Sequence, residues 1–436
     1  MRMALFLILN ALLFVRPEDL WPDISGLRLY MVTITLCILV NADRLAFALS
    51  GPSLSRRPVD VCVLGMWLAC GLSHLIRMQI DDALEWWSEF GKVAVYYFLL
   101  TVTLDTRERL RAFLGYSVIL TALAIAAPLL NFHEITHFEA IEITSQTYND
   151  PVTKLSVTVS RLAGLGIYSD PNDICLLLVF GGMCCLYRSA DSHSWFIAVL
   201  WLLPLILFGH AFMLTLSRGG MLGLLAGLAA AFAMRFGLMR AAPMIVLMST
   251  VLLLGIGGRQ SDIGTGDTAH ERIMLWATGI GVWLGNPFFW LLGIGPNNYM
   301  DYAPQVAHNS FVHAYVEVGL LGGGMFFAAF YFAAVGLWRV GRNTRLAPPT
   351  PFSRALPFVF GMLAGYAGGA YSLSRCYVLP TYLALGIAQT YLILAEPNPP
   401  PDGRVDRTWP KRFLLIAVGG AVLVKFGTQI LGTING

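Results

Sequence analysis

Long apolar runs alternate with short polar breaks along the whole chain. They cover 1–15, 28–49, 59–77, 90–104, 110–130, 172–187, 194–216, 219–236, 241–257, 311–338, 355–373, 376–395 and 411–429. In hydrocarbon no water can bond a bare N–H or C=O group. A spanning segment must therefore satisfy its own backbone, which a helix does within one segment. Each crossing needs about 20 residues. These runs predict an all-α polytopic membrane protein of about 12–13 transmembrane helices, forming a single integral membrane domain over 1–436. Composition agrees: 56% of residues are hydrophobic, 13% are charged and mean hydropathy is +0.65. A soluble domain carries about 25% charged residues. Residues 1–15 lack a small-residue cleavage site and read as a short first span rather than a secretory signal. The seven cysteines lie in or beside apolar runs. Their odd number and their placement suit packing better than disulfides or metal ligation. No basic cluster suits nucleic acid.

Charge sets the expected orientation. With the N-terminus in the cytoplasm, the inner side holds 18 of the 29 basic residues and 8 of the 26 acidic ones. Every inner loop then obeys the positive-inside rule. The two long loops, 131–171 and 258–310, both face outward in this register, and long loops in compact proteins are commonly functional. Loop 258–310 carries its own helical signal. Thr268-Ala269-His270-Glu271 reads as a capping box, with Arg272 in the first turn. Ile273, Trp276, Ile280 and Trp283 recur at helical spacing, and Gly285-Asn286-Pro287 ends the pattern. The expectation is an amphipathic helix lying on the outer membrane surface.

A few polar residues interrupt this apolar chain. An arginine in or at the edge of a hydrocarbon span costs roughly 2.5–3.5 kcal/mol or more, so it marks a candidate functional site. Arg218 stands in Ser217-Arg218-Gly219-Gly220 between two apolar runs. Its glycines allow close approach, and a guanidinium suits phosphate; the bland alternative is an arginine snorkelling to headgroups. Arg272 near a helix start could add to anion binding, or sit on a solvated face. Arg161, in Ser160-Arg161-Leu162-Ala163-Gly164 ahead of Asp170-Pro171-Asn172, has the same two readings. His308, in Ala307-His308-Asn309-Ser310-Phe311, leads straight into an apolar run. A titratable imidazole there fits general acid/base work, against a purely hydrogen-bonded interfacial histidine. His313 and Glu317 are i,i+4 neighbours on one helix face. No His-Glu-x-x-His pattern occurs, so no metal is expected. Glu317 could orient His308 or His313, or serve structure alone. Gly293-Ile294-Gly295-Pro296-Asn297-Asn298-Tyr299 lacks Walker and Rossmann context and reads as a tight turn. Gly319, Gly322, Gly323 and Gly324 suit close helix packing.

In order along the chain stand Arg-x-x-Gly with Asp170-Pro171-Asn172, Ser-Arg-Gly-Gly at 217–220, and Arg-x-x-x-Trp at 272–276. Asn286-Pro287 and Gly-x-Gly-x-Asn-x-Tyr follow, then His308-Asn309 ending in Glu-x-Gly-x-x-Gly from Glu317. Each motif is weak singly. Their order over about 160–325 resembles the O-antigen ligase and O-antigen polymerase superfamily of bacterial membrane glycosyltransferases. Arg16-Pro17-Glu18-Asp19-Leu20-Trp21-Pro22 is also similar to members of it. The resemblance implies a GT-C-like helical fold in the inner membrane, with 258–310 as a periplasmic catalytic loop and the active site facing the periplasm. It implies a donor glycan on undecaprenyl pyrophosphate, transferred with inversion to a glycan, lipid or protein acceptor, without cofactor or metal. Arg218 and Arg272 would bind the pyrophosphate, with Arg161 as a third candidate. His308 would be the catalytic histidine, with Asn309, His313 and Glu317 in support. Arginine in place of a metal is sensible, because a departing pyrophosphate needs its developing charge stabilised.

A polymerase that extends another lipid-linked repeat shares every one of these motifs. A transporter of anionic lipid or solute is the alternative from another class. Transporters usually show inverted repeats and broken helices at the midplane, whereas here no repeat is evident and the polar residues gather at one face. A reporter fused within 131–171 or 258–310 is expected to be active only as a periplasmic reporter, and one fused within 341–353 only as a cytoplasmic one. A cytoplasmic signal from 258–310 would put the candidate residues on the wrong side.

Overall fold

A computed structural model of the chain describes residues 1–139, 141, 144–149, 156–255, 266–344 and 350–435. Helix dominates, as the apolar runs require, and the described part of each run is mostly helical, with 28–49 and 194–216 each divided between two helices. Among the described residues seven helices are long and apolar enough to cross a membrane, or eight if one bent pair is a single span. That is fewer than the runs counted from sequence, for identifiable reasons. The run 28–49 breaks by 70° between Leu29–Val40 and Ala42–Ala48. The Ile80–Thr103 helix opens with Asp81, Asp82, Glu85, Glu89 and Lys92. The helices Arg2–Val15 and Leu379–Ala395 are short, at 14 and 17 residues.

The chain divides into two compact units. The first comprises Met1–Asp43, Val102–Asp262 and Gly341–Gly369. Around its Pro171–Ala190 helix pack the helices Arg107–Phe132, Trp195–Leu202, Pro204–Thr215 and Arg218–Phe236. The Arg218 helix and the Pro351–Ser372 helix meet backbone to backbone. A Cβ on Gly227 would lie 2.9 Å from the Gly361 carbonyl, and one on Gly223 2.9 Å from that of Gly365. Such paired small residues replace the hydrophobic drive that lipid removes from helix association. Asp191, fully buried, is paired with Arg111 at 2.6 Å and Arg188 at 3.8 Å, as a buried carboxylate requires.

The first unit also contains structure that the apolar pattern does not signal. Thr144–Asn149 and Ser156–Arg161 form an antiparallel hairpin within the loop 131–171, with Thr144 opposite Arg161.

The second unit comprises Arg44–Thr101, Ile263–Val340 and Ala370–Gly436. Its main helices are Pro58–Leu75, Ile80–Thr103, Gly266–Gly285, Ser310–Thr344, Leu379–Ala395 and Trp409–Asn435. The first two form a tight pair in which Trp67 Nε1 donates to the Trp87 carbonyl at 2.8 Å. The Gly266 helix starts earlier than the capping pattern suggests, so Arg272 lies in its second turn; the side chain of Thr268 is outside the described residues. It ends at Gly285, as Asn286-Pro287 requires. Its apolar face corrects a second expectation. Ile273, Trp276, Ile280 and Trp283 are all buried, and the last three pack with Ile294, Tyr299, Val312 and Tyr315. The face is covered by the chain itself rather than laid on lipid. All seven cysteines are free and buried.

Gly227→Leu is expected to lower the stability of the first unit by about 1–3 kcal/mol or more, because nothing can yield before the opposing backbone. Gly209→Leu, where an added Cβ meets open space, is expected to stay within about 0.5 kcal/mol of the parent. Thermal melts of the two variants in detergent compare them directly.

Candidate functional site

In the first unit two of the candidate arginines, Arg161 and Arg218, stand at the start of the Arg218 helix. Ser217 caps that helix: its Oγ accepts the Gly220 N–H at 2.9 Å, which makes Arg218 the first helical residue. Leu216, just before the cap, is left-handed at φ 48. Gly220 is required for a steric reason, since a Cβ there would lie 2.0 Å from Cys175 Sγ. The neighbouring Pro171 helix has its own cap, where the Asp170 side chain accepts the Asn172 N–H at 2.7 Å. Asn172 Oδ1 then joins the two motifs. It accepts the Ser217 hydroxyl at 2.6 Å and an Arg161 Nη2 hydrogen at 3.3 Å.

Arg161 ends the hairpin and spans this network. Nε donates to the Thr215 carbonyl at 2.8 Å and Nη1 to Gln146 Oε1 at 3.2 Å. Gln146 is its diagonal neighbour across the strand pair, within reach of a long side chain. Burial pulls the Arg161 pKa down, opposed by the charge of Asp170. Three of the guanidinium's five donors are thus engaged by the protein. Arg161 ties the Asp170-Pro171-Asn172 and Ser217-Arg218 motifs into one frame.

In the second unit the site is built around a break in the Ser310–Thr344 helix. Asn309 caps it, its Oδ1 accepting the Phe311 and Val312 N–H groups at 3.0 and 3.2 Å. The Ser310 hydroxyl donates to the Leu373 carbonyl and accepts the Arg375 N–H, which fixes the helix start against 373–375. His308, immediately before the cap, is half-buried and left-handed at φ 48. A non-glycine residue held there costs of order 1–3 kcal/mol, and such residues cluster at functional sites. Its Nε2 lies 3.3 Å from Gln305 Oε1.

Two turns further, Val318 and Gly319 leave helical geometry, Gly319 with φ 64 and ψ −165. Their freed backbone is met by the glycine-rich loop. The Ile294 N–H donates to the Val316 carbonyl at 3.1 Å, and the Gly295 N–H to the Glu317 carbonyl at 2.8 Å. Gly293 and Gly319 make this approach possible: a Cβ on Gly293 would lie 2.4 Å from the Glu317 carbonyl carbon, and one on Gly319 2.4 Å from that of Leu291. So Gly319 shapes a kink, while Gly323 and Gly324 serve close packing against Tyr315 and Ala417.

Glu317 is fully buried at this break and its carboxylate is used twice. Oε2 pairs with His313 Nε2 at 2.9 Å, and Oε1 accepts the Tyr299 N–H at 3.2 Å. Sequence left open which histidine Glu317 serves; the structure pairs it with His313. Tyr299 extends the connection. Its hydroxyl donates to the Leu275 carbonyl at 2.8 Å and packs where a Gly279 side chain would stand. Burial, and then the Glu317 charge, push that phenol above its ordinary range. Trp276 Nε1 donates to the Ala307 carbonyl. Both contacts fix the Gly266 helix, which carries half-buried Arg272, against the segment that carries His308.

Several contributors were not signalled by sequence. Arg77 and Asn298 both donate to the Ile294 carbonyl, His74 stands beside Gly295, and Tyr377 stacks edge-on to His313. His74 Nε2 and His313 Nδ1 are buried without hydrogen-bond partners. Tyr299 was visible in advance, as the last residue of Gly-x-Gly-x-Asn-x-Tyr. Among the described residues no three His, Cys, Asp or Glu side chains converge in a metal-ligand arrangement. The chain matches no known protein-family model and no curated protein.

Glu317→Ala leaves His313 and the Tyr299 N–H buried without their acceptor. It is expected to lower stability by about 3 kcal/mol or more. Denaturant melts in detergent read this loss. Wild-type stability in Glu317→Ala would show that the carboxylate does not organise this unit.

Proposed function

We propose that the chain is a metal-independent, inverting glycosyltransferase of the O-antigen ligase type. It moves a glycan from undecaprenyl pyrophosphate to an acceptor hydroxyl on a glycan, lipid or protein. In this reading it spans the bacterial inner membrane about 12–13 times in a GT-C-like arrangement, with the reaction at the periplasmic face. The observation that carries it is where the motif residues fall. Arg218 is the first residue of a capped, glycine-lined helix, and His308 holds a strained left-handed backbone just ahead of the Asn309 cap. Helix starts favour anions, and planar guanidiniums bind phosphate through paired donors.

Arg218 and Arg272 are assigned to the donor pyrophosphate, and Arg161 to holding the motif that presents Arg218. The acceptor oxygen attacks the anomeric carbon, and its proton passes to the His308 imidazole. The bond from that carbon to the pyrophosphate oxygen breaks, and undecaprenyl pyrophosphate departs with the electron pair and negative charge. Guanidiniums on the departing oxygens act where charge develops, which is where electrostatic stabilisation accelerates a reaction. Asn309 fixes the helix start beside His308, and His313 with Glu317 supports the loop behind it.

A polymerase would use the same residues on a different acceptor. Deleting the gene and analysing surface glycans separates the readings: uncapped lipid A-core indicates a ligase, single repeats a polymerase, and intracellular lipid-linked repeats a transporter.

His308→Ala is expected to leave the protein folded and able to bind lipid-linked donor, with turnover reduced roughly 10²–10⁴-fold. Arg218→Ala and Arg272→Ala are expected to weaken donor binding and nearly abolish transfer, with lysine a poor substitute because it lacks the planar fork. Transfer from purified lipid-linked glycan in nanodiscs, with and without EDTA, tests all of these. Full activity in either lysine variant, or arrest by EDTA, contradicts the assignment.

A further inference from the structure

The turn Arg16-Pro17-Glu18-Asp19 has no part in the reaction proposed above, yet it reaches the frame that presents Arg218. Arg16 ends the Arg2–Val15 helix in a left-handed conformation, φ 50, with its N–H donating to the Leu12 carbonyl at 3.1 Å. Pro17 fixes its own φ and starts a single helical turn, Pro17–Leu20. The Asp19 N–H donates to the Arg16 carbonyl at 3.0 Å, which brings the Asp19 carboxylate back to the Arg16 guanidinium. Nε and Nη2 donate to its two oxygens, both at 3.1 Å, a two-pronged pairing that fixes direction as well as distance. Glu18 ties the same turn to the Leu29–Val40 helix, its Oε1 accepting the Tyr30 N–H at 3.3 Å.

Held in this way, the Arg16 stem lies on Gly166. A Cβ on Gly166 would stand 2.7 Å from Arg16 Cγ, Cδ and Nε, and Gly166 is itself left-handed at φ 53. Beside this contact Phe14 packs edge-on to Tyr168 with ring centres 5.5 Å apart, and both rings are buried. Gly166 belongs to a closed turn, in which the Gly164 N–H donates to the Tyr168 carbonyl and the Tyr168 N–H to the Leu165 carbonyl, each at 2.9 Å. Just beyond this turn Asp170 caps the Pro171 helix.

The opposite side of the same segment is the donor frame. The Leu162 N–H donates to the Leu214 carbonyl at 2.9 Å, and Arg161 Nε to that of Thr215 at 2.8 Å. Asn172 Oδ1 takes the single hydrogen of the Ser217 hydroxyl, which leaves that oxygen's lone pairs for the Gly220 N–H. The cap that makes Arg218 the first helical residue therefore depends on where Asn172 stands. Segment 161–172 is fixed on one side by 214–217 and on the other by Arg16. All of these residues belong to the first unit.

We infer that Arg16, locked by Asp19, is a positioning residue for Arg218. It braces the Gly166 turn, the turn sets Asn172, and Asn172 orients the Ser217 cap. Binding groups must be held to within about 0.5 Å by packed and hydrogen-bonded neighbours, and a guanidinium at a helix start has that need. The inference rests on the assignment of Arg218 to the donor pyrophosphate.

The test uses the full chain in nanodiscs, with undecaprenyl pyrophosphate as the probe. Asp19→Asn breaks the pairing from one side, and Gly166→Ala disturbs the contact from the other without touching a charge. Each is expected to weaken binding about fivefold, with the number of sites at saturation unchanged. A merely structural role would do the reverse, lowering the number of competent sites at unchanged affinity. Asp23→Asn removes an equal charge at an exposed position nearby and is expected to match the wild type. In an Arg218→Lys background Asp19→Asn is expected to cost nothing further, because both changes act on one contact. Unchanged affinity in Asp19→Asn and Gly166→Ala overturns the inference, as does an equal loss in the Arg218→Lys background. Hydrogen exchange of peptides covering 162–172, measured without ligand, is expected to quicken in Asp19→Asn and Gly166→Ala but not in Asp23→Asn. Unchanged exchange overturns the brace whatever the chain binds. A wild-type chain that takes up no undecaprenyl pyrophosphate overturns the glycosyltransferase reading instead, and the exchange result still decides the brace.

Discussion

Hydrocarbon does not solvate a peptide group, and the rest of this structure follows from that constraint. A chain this apolar satisfies its backbone within helices, so unpaired N–H and C=O groups occur only where helices start, end or break. The candidate chemistry stands at those places. Arg218 follows a serine cap, His308 precedes an asparagine cap, and Glu317 sits at a break. Glycine makes each place habitable. Gly220 admits Cys175, and Gly293 and Gly319 admit each other's neighbouring backbone. The freed carbonyls of Val316 and Glu317 are met by Ile294 and Gly295, so the break carries no unpaired cost at those groups.

Glu317 is the clearest case of a buried charge shaping its surroundings. Taking a carboxylate out of water is tolerable only with partners, and its partners here lie on two separate segments. His313 lies one turn back on the same helix, while Tyr299 belongs to the preceding loop. Through Tyr299 the connection reaches Leu275, and the Gly266 helix is held in place a second time by Trp276. The left-handed backbone of His308 is thereby flanked by a packed aromatic cluster on one side and a capped helix on the other.

How far sequence could reach differs from residue to residue. Helix positions were legible, because 3.6-residue periodicity and apolar runs act locally. The stop at Gly285-Asn286-Pro287 was legible for the same reason, as was the shared helix face of His313 and Glu317, although which histidine Glu317 serves was not. What covers an apolar face was not. Trp276 and Trp283 show that a face is buried, but nothing in their spacing distinguishes lipid from Tyr299 and Tyr315. The break at Gly319 was hidden, since a glycine in an apolar run fits close packing as well as a kink, and its loop partner lies some 25 residues away. The strand pair Thr144–Asn149 and Ser156–Arg161 had a short signal in Val157-Thr158-Val159, overshadowed by its placement in a polar loop. Arg161 thus appeared as a lone cation, although its acceptors include Thr215 and Asn172, which only the fold brings to it.

In the proposed reaction a glycan would leave undecaprenyl pyrophosphate and be attached to an acceptor hydroxyl with inverted configuration. The most direct measurement incubates the purified wild-type chain in nanodiscs with isotopically labelled lipid-linked glycan and acceptor. Released undecaprenyl pyrophosphate and the anomeric configuration of the product are then quantified together. The expected result is one undecaprenyl pyrophosphate per glycan transferred, and a product whose anomeric configuration is opposite to the donor's. Intact donor after prolonged incubation, or a product with retained configuration, would contradict it.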